Sequence, residues 1–238
     1  MVRQSQPTIL LTRPLAQSQR FAAMVGGAVI SPLMVPEFLS PPLPQRDFAA
    51  VVLTSETGVE AARRISAAGA PVPQRAFCVG DRTAKAAQAA GFDAISAQGD
   101  ANALLALLVG QNITGPLLVL HAEDTAGDVQ NRLISAGIET VSAVTYRQKP
   151  QPLTTQAEAL LQSNTPIILP IFSPRSAHLL AAEIRRVGSK APLWLAALSP
   201  AVAQAFDLPI ALIQIAARPD AAAMLAAVTE LQRHGISS

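Results

Sequence analysis

The sequence contains a single cysteine, Cys78, which excludes an internal disulfide and any multi-cysteine metal site. It lies in an apolar run and reads as a small buried hydrophobe rather than a nucleophile. Aromatic residues make up only 4% of the chain, so a stacking platform for bases is absent. Charged residues are 14% and the net charge is +2, with no basic run of the kind that tracks a phosphate backbone, which argues against nucleic acid as a partner. The longest uncharged run, residues 101–122, is broken by Gly110, Gln111, Asn112 and Pro116 and is not a membrane span. Arg3, Pro7, Arg13 and Pro14 stand where a signal peptide would need an apolar core, so a soluble cytoplasmic protein is expected and the Asn112-Ile113-Thr114 triplet reads as a chance sequon.

Several chemical signatures are also missing. There is no G-x-G-x-x-G, no G-x-x-x-x-G-K-[ST], no H-E-x-x-H and no nucleophile elbow. The three histidines, His121, His178 and His234, are far apart in sequence. His121 with Glu123 and Asp124 reads as a strand end leading into a solvated helix start, not as a metal cluster. A receiver-type signalling domain would need acidic residues at strand ends, where Leu53 and Leu120 are followed instead by Thr54 and His121.

What is present is apolar material, 50% of 238 residues, arranged as alternating strands and helices. Short apolar runs at 8–12, 28–31, 49–53, 75–79, 92–96, 117–121, 138–141, 166–171, 193–197 and 210–215 read as strands. Helices are expected over about 14–25, 57–68, 81–90, 104–109, 126–136, 174–187, 200–206 and 219–233. Residues 33–36 and 143–147 read as extended tails, and the proline-rich stretches near Ser40 and Pro150 as boundaries. Leu10-Leu11-Thr12 with its helix, second strand and tail is echoed by Val119-Leu120-His121 with its own helix, second strand and tail. Val52-Leu53-Thr54-Ser55 is echoed by Ile171-Phe172-Ser173. The order is therefore short unit, long unit, short unit, long unit. Such alternation gives α/β architecture with doubly wound parallel sheets. The pattern leaves open which short unit joins which long one.

The strand ends carry the chemistry. At 77–84 the chain reads as a strand, a turn at Gly80 that needs glycine's backbone freedom, an N-cap at Asp81, and a helix bearing Thr83 in its first turn. Thr12-Arg13, Thr54-Ser55, Ser173 and Ser199 follow the same grammar. Each alone reads as a helix cap. Together they place amides, hydroxyls and one arginine at the C-terminal edges of sheets, which is chemistry for holding carboxylates or phosphates. Tyr146 is the only tyrosine. Its ordinary reading is a half-buried aromatic with its hydroxyl in water. Its functional reading is a phenol that donates to a departing oxygen, since phenols, with an ordinary pKa of about 10, stay protonated at neutral pH. Trp194 reads as core, and Arg63, Arg64, Arg185 and Arg186 as solvated helix faces without a role.

In order along the chain, Leu11-Thr12-Arg13, Leu53-Thr54-Ser55 with Gly58-Val59, Val79-Gly80 with Thr83-Ala84, Gly91-Phe92, Val144 with Tyr146, and Phe172-Ser173-Pro174 resemble the uroporphyrinogen-III synthase family. The resemblance implies two flavodoxin-like doubly wound domains, one from residues 1–32 plus 150–238 and one from 38–143. A two-stranded β-ladder, 33–37 and 144–149, would link them, with the active site in the cleft between them. It implies a lyase that needs no metal and no cofactor, works as a monomer, and takes hydroxymethylbilane, a linear tetrapyrrole with eight carboxylates. Hydroxymethylbilane synthase would be a transient partner. It implies that Tyr146 assists loss of the hydroxyl, and that Ser55, Thr83 and Ser173 bind acetate and propionate groups; the strand-end chemistry adds Thr12, Arg13, Thr54, Gly80 and Ser199 as further substrate-binding positions. Two departures stand out. His121 occupies a position where many relatives have arginine, and Ser199-Pro200-Ala201-Val202 a position where relatives often have Gly-Pro-Thr-Thr. The second motivates the alternative of a non-catalytic tetrapyrrole-binding relative.

Overall fold

The computed structural model describes residues 7–113, 115–125 and 128–237. Arg3, Thr114 and the expected helix start at Ala126 lie outside the described residues. The first half of the chain contains β1 (Thr8–Leu11), α1 (Leu15–Val25), β2 (Val29–Ile30), β3 (Met34–Phe38), β4 (Ala50–Leu53), α2 (Glu56–Ala67), β5 (Arg75–Cys78), α3 (Asp81–Ala89), β6 (Asp93–Ser96) and α4 (Ala101–Gly110). The second half contains β7 (Leu117–Ala122), α5 (Asp128–Ser135), β8 (Thr140–Pro150), α6 (Thr155–Leu161), β9 (Ile167–Ile171), α7 (Pro174–Val187), β10 (Leu193–Ala197), α8 (Pro200–Gln204), β11 (Leu212–Ile215) and α9 (Ala221–Ser237).

The chain divides into two compact units, Met1–Val35 with Pro150–Ser238, and Pro36–Lys149. The sheet of the first unit has the order β11-β10-β9-β1-β2, and every described pairing in it is parallel. Alternate residues of these strands face opposite layers, as the two-residue period of a strand requires. Leu10, Ile167, Leu169, Ile171 and Leu195 pack with Ala157 and Leu161 of α6, Leu180 and Ile184 of α7 and Val202 of α8. Ile9, Leu11, Ile168, Trp194 and Ala196 pack with Phe21 of α1 and Met224, Val228 and Leu231 of α9. Each Leu, Ile, Val, Met or Phe among them, taken fully out of water, contributes about 1.5–3 kcal/mol, which is why these strands read as continuous apolar runs.

The second unit carries a sheet of order β3-β8-β7-β4-β5-β6, with β8, β7, β4, β5 and β6 parallel. Val51, Leu53, Cys78, Leu118 and Leu120 pack with Val59 and Ala62 of α2 and Ala84 and Ala87 of α3. Ala50, Val52, Phe77, Leu117 and Val119 pack with Leu104 and Leu108 of α4 and Leu133 of α5. β3 lies at the edge beside β8, where the Leu39 N–H donates to the Thr145 carbonyl at 2.8 Å.

Both sheets reverse their winding direction once. In the first unit the chain steps from β1 to β2 on one side and through β9, β10 and β11 on the other. In the second it steps from β4 to β5 and β6 one way and from β7 to β8 the other. Loops leaving the C-terminal ends of the two strands at such a reversal diverge, and ligand crevices form there. The relevant strand pairs are β1 with β9, and β4 with β7.

Four details differ from the sequence reading. Gly80 sits at φ −134° and ψ 161°, extended backbone open to any residue, so conformational freedom does not explain it. Gly80, not Asp81, is the N-cap of α3, and the Asp81 carboxylate accepts instead from Ser96 Oγ at 2.7 Å. The expected strand at 138–141 and its tail are one strand, β8, because the β-branched run Thr140, Val141, Val144, Thr145 continues without interruption. Helix α6 was not expected. It has only seven residues, too few to show a helical period, although the Thr154 hydroxyl caps it by accepting from the Ala157 N–H at 3.3 Å.

Candidate active site

In the first unit the candidate residues follow β1, β9 and β10, three neighbouring strands. Thr12 is buried just past the end of β1, with its carbonyl accepting from the Leu33 N–H. Arg13 comes next, and its guanidinium carbon lies 3.9 Å from the centre of the Phe172 ring, which follows β9. Phe172 in turn meets Phe21 of α1 edge-on, with centroids 5.4 Å apart. A guanidinium over an aromatic face is held there by the ring's negative quadrupole, which fixes the position of its charge. The Arg13 carbonyl is held by the Ser18 hydroxyl, which donates to it at 2.8 Å. Ser173 caps α7: its Oγ accepts from the Ser176 N–H at 3.2 Å and lies 2.8 Å from Ser176 Oγ. Ser199 caps α8, accepting from the Val202 N–H at 3.4 Å.

In the second unit the candidates follow β4 and β5, with Tyr146 on β8. Thr54 is half-buried at the end of β4. Ser55 caps α2, its Oγ accepting from the Gly58 N–H at 3.0 Å. The same Oγ lies 2.9 Å from Tyr146 Oη. Gly80 begins α3 without any side-chain cap, so the first backbone N–H groups of that helix keep their donors free of a capping oxygen. Thr83, in the same turn, is buried. That combination, uncapped amides beside a hydroxyl at a helix N-terminus, suits an anionic oxygen.

Tyr146 is buried, 6% exposed, rather than half-buried with its hydroxyl in water. Its ring packs with Ala61 of α2, Ala122 of β7 and Phe38 of β3. His121 is near the end of β7, and exposed Glu123 and Asp124 follow in a short helical turn, the strand end leading into a solvated helix start that the sequence suggests. β7 runs one residue past His121, which is 6% exposed and whose Nδ1 lies 2.8 Å from the Ala122 carbonyl oxygen. Among the described residues no group of three His, Cys, Asp or Glu side chains is placed to hold a metal ion. None of their helices is long and apolar enough to cross a membrane.

The sequence matches the family described as uroporphyrinogen-III synthase HemD over residues 18–226. The chain belongs to the uroporphyrinogen-III synthase family. A crystal structure of uroporphyrinogen-III synthetase from Helicobacter pylori 26695 is similar in fold, with a TM-score of 0.61 at 17% identity, over 94% of this chain and 99% of that one. No curated protein sequence matches the chain significantly.

Within this family member, sequence reasoning passes over four residues at the same edges. Phe172 supports Arg13. Phe38 lies against Tyr146, ring centroids 6.5 Å apart, and carries the Arg64 guanidinium 4.1 Å from its own centroid. Arg64 is about half exposed, as a solvated helix face is, and its guanidinium also lies over the Phe38 ring. Arg82 and Arg175 are exposed in the first turns of α3 and α7. A cation there opposes the helix dipole, so its position favours a bound anion over helix stability. The signal for Arg82 and Arg175 is present in the sequence, since each stands at the second helical position after Gly80 or Ser173. No local signal links Phe38 to Arg64 or Phe172 to Arg13.

Proposed function

We propose that this chain is a working uroporphyrinogen-III synthase, a lyase that cyclises hydroxymethylbilane with loss of water and inversion of ring D, without a cofactor. The observation that carries the reading is the pairing of Tyr146, the only tyrosine, with the Ser55 hydroxyl at the N-terminus of α2. It puts a phenol proton beside polarising donors at a C-terminal sheet edge. Both units are read as flavodoxin-like: each strand order fits that winding, with the second unit's strands circularly permuted. β3 and β8 serve as the linker strands.

The chemistry asks little of the protein beyond placement and one proton. The substrate's hydroxyl is expelled by the adjacent pyrrole nitrogen. The carbon–oxygen bond breaks, the Tyr146 proton goes to the oxygen, and water leaves. The resulting azafulvene is attacked by the substituted carbon of ring D, which forms a spiro centre. That centre fragments and recloses with ring D inverted, and the macrocycle gives back a proton as its pyrroles regain aromaticity. Atoms balance as one substrate to one macrocycle and one water. Thr12, Arg13, Ser173 and Ser199 in one unit, and Thr54, Gly80 and Thr83 in the other, are assigned to the carboxylates, which hold the chain of pyrroles so that the spiro route outruns direct closure.

The test is product identity. The purified chain, given hydroxymethylbilane as it forms, should yield the type III isomer. A product that is only type I, the outcome of unassisted closure, overturns the proposal. The non-catalytic alternative, a tetrapyrrole-binding relative, rests on the Ser199-Pro200-Ala201-Val202 sequence. It predicts porphyrinogen binding without turnover.

A further inference from the structure

We infer that Ser55 is a positioning residue that donates its hydroxyl proton to Tyr146 Oη, which fixes the phenol's own proton as the one offered to the departing hydroxyl. The catalytic half of this inference rests on the synthase reading. The direction of the hydrogen bond is independent of that reading and rests on the hydrogen-bond chain through Ser55.

Two protonation patterns fit the 2.9 Å separation. In one, the phenol donates to serine. In the other, serine donates to the phenol. The surroundings separate them. Ser55 Oγ already accepts from the Gly58 N–H at 3.0 Å, the one backbone donor that the cap satisfies. An oxygen that accepts a hydrogen bond becomes a stronger donor through its own proton, so the chain Gly58 N–H to Ser55 O–H to Tyr146 O–H runs in a single direction and each link strengthens the next. The positive end of α2 pushes protons the same way, outward from the cap. The opposite pattern makes Ser55 accept twice; each pattern leaves one proton without an acceptor among the described residues, and only when Ser55 donates is that proton the phenol's, free for the departing hydroxyl. Once Tyr146 has given its proton away, the Ser55 O–H and the α2 terminus face the phenolate oxygen and stabilise it, with no rearrangement needed.

The rest of the site limits motion of this pair. Tyr146 is held by Phe38, Ala61 and Ala122, and Ser55 by its role as cap. Gly58 leaves the necessary room: a Cβ there would lie 3.3 Å from Ser55 Oγ and 3.7 Å from the Leu120 carbonyl oxygen. Ser55 thus differs from Ser173 and Ser199, whose hydroxyls cap helices without reaching a phenol.

The test uses the full-length chain and its lone tyrosine. The tyrosine Raman doublet distinguishes a phenol that mainly donates from one that also accepts, and here it reports Tyr146 alone. The unaltered chain and Ser55→Thr should show the accepting signature. Ser55→Asp keeps the cap but offers only an acceptor, so it should convert Tyr146 to a donor. Ser55→Ala should show neither bond, and Gly58→Ala, which presses on Ser55 Oγ, should weaken the accepting signature. In turnover, Ser55→Ala and Ser55→Asp should each lower kcat by about tenfold or more with KM within about twofold, and Ser55→Thr should restore kcat. In a Tyr146→Phe background the same changes at Ser55 should cost nothing further. A donor signature in the unaltered chain overturns the direction of the bond. A raised KM with unchanged kcat, or losses that add to those of Tyr146→Phe, makes Ser55 a substrate ligand and overturns the positioning role. If the unaltered chain forms no type III isomer, the synthase reading fails and takes the catalytic half with it, while the Raman doublet still decides the direction of the bond.

Discussion

The guanidinium carbon of Arg13 lies over the ring of Phe172, 3.9 Å from its centre, and so joins the residues that follow β1 and β9 where the first unit's sheet reverses direction. The contact fixes where the arginine's charge sits at the sheet edge. Phe172→Leu should therefore raise KM for hydroxymethylbilane about two- to fivefold, matching the roughly 0.5–1 kcal/mol of an exposed cation–π contact, with kcat kept. Steady-state kinetics checks this. An unchanged KM would remove Arg13 from the substrate contacts.

Gly80 gives a second prediction. Its backbone is extended and a Cβ at this position would meet nothing within 4 Å, so Gly80→Ser should fold normally. The new hydroxyl should cap α3 and raise stability by a few tenths of a kcal/mol. It should also occupy an amide assigned to a carboxylate, so KM should rise as stability rises. Thermal unfolding and kinetics on the same preparation separate the two effects.

Much of the fold can be read directly, because each central strand is apolar on both faces and most of the following helices open with Ser, Asp or a similar cap. Ser55, Ser173, Ser199 and Asp100 cap as their residue types suggest. The candidate site is legible as a set of strand ends. Its couplings are not. Ser55 and Tyr146 are 91 residues apart, and nothing in either local sequence encodes their contact. Gly80 misleads because glycine has two uses, unusual backbone angles and the mere absence of a side chain, and the sequence does not distinguish them. Tyr146 is drier than its sequence suggests because its burial depends on Phe38, Ala61 and Ala122, which come from three other elements.

Cys78 gives a test of the core. It is fully buried on β5, and burial pushes its thiol up to about 11. The folded protein should leave a thiol reagent unreacted at mildly alkaline pH, and unfolding should release one thiol per chain. Rapid labelling of the native protein would contradict the packing of the second sheet.

The pH dependence of stability has one marked contributor. Arg63 and then Arg64, by hydrogen bonds to its carboxylate, lower Glu60 from its ordinary 4.5 to about 2. A depressed folded value stabilises the native state above the unfolded one, so this contribution is complete above about pH 4.5 and is lost as pH falls toward 2. All three side chains are at least a third exposed, so solvent limits the effect to about 1 kcal/mol per pair or less. Melting temperature against pH should show Glu60→Gln slightly less stable than the parent at neutral pH, with the difference closing through the acid range. A gap that persists at the acid end would assign the effect to packing instead.

The most direct test of the account is the isomer ratio obtained with and without the Tyr146 hydroxyl, using hydroxymethylbilane generated in the same vessel. The unaltered chain should give the type III isomer. Tyr146→Phe should keep its stability within about 1 kcal/mol of the parent and form the type III isomer more slowly by about a hundredfold, so that the type I isomer overtakes it. Type III formation at an undiminished rate from Tyr146→Phe would contradict the role given to this phenol.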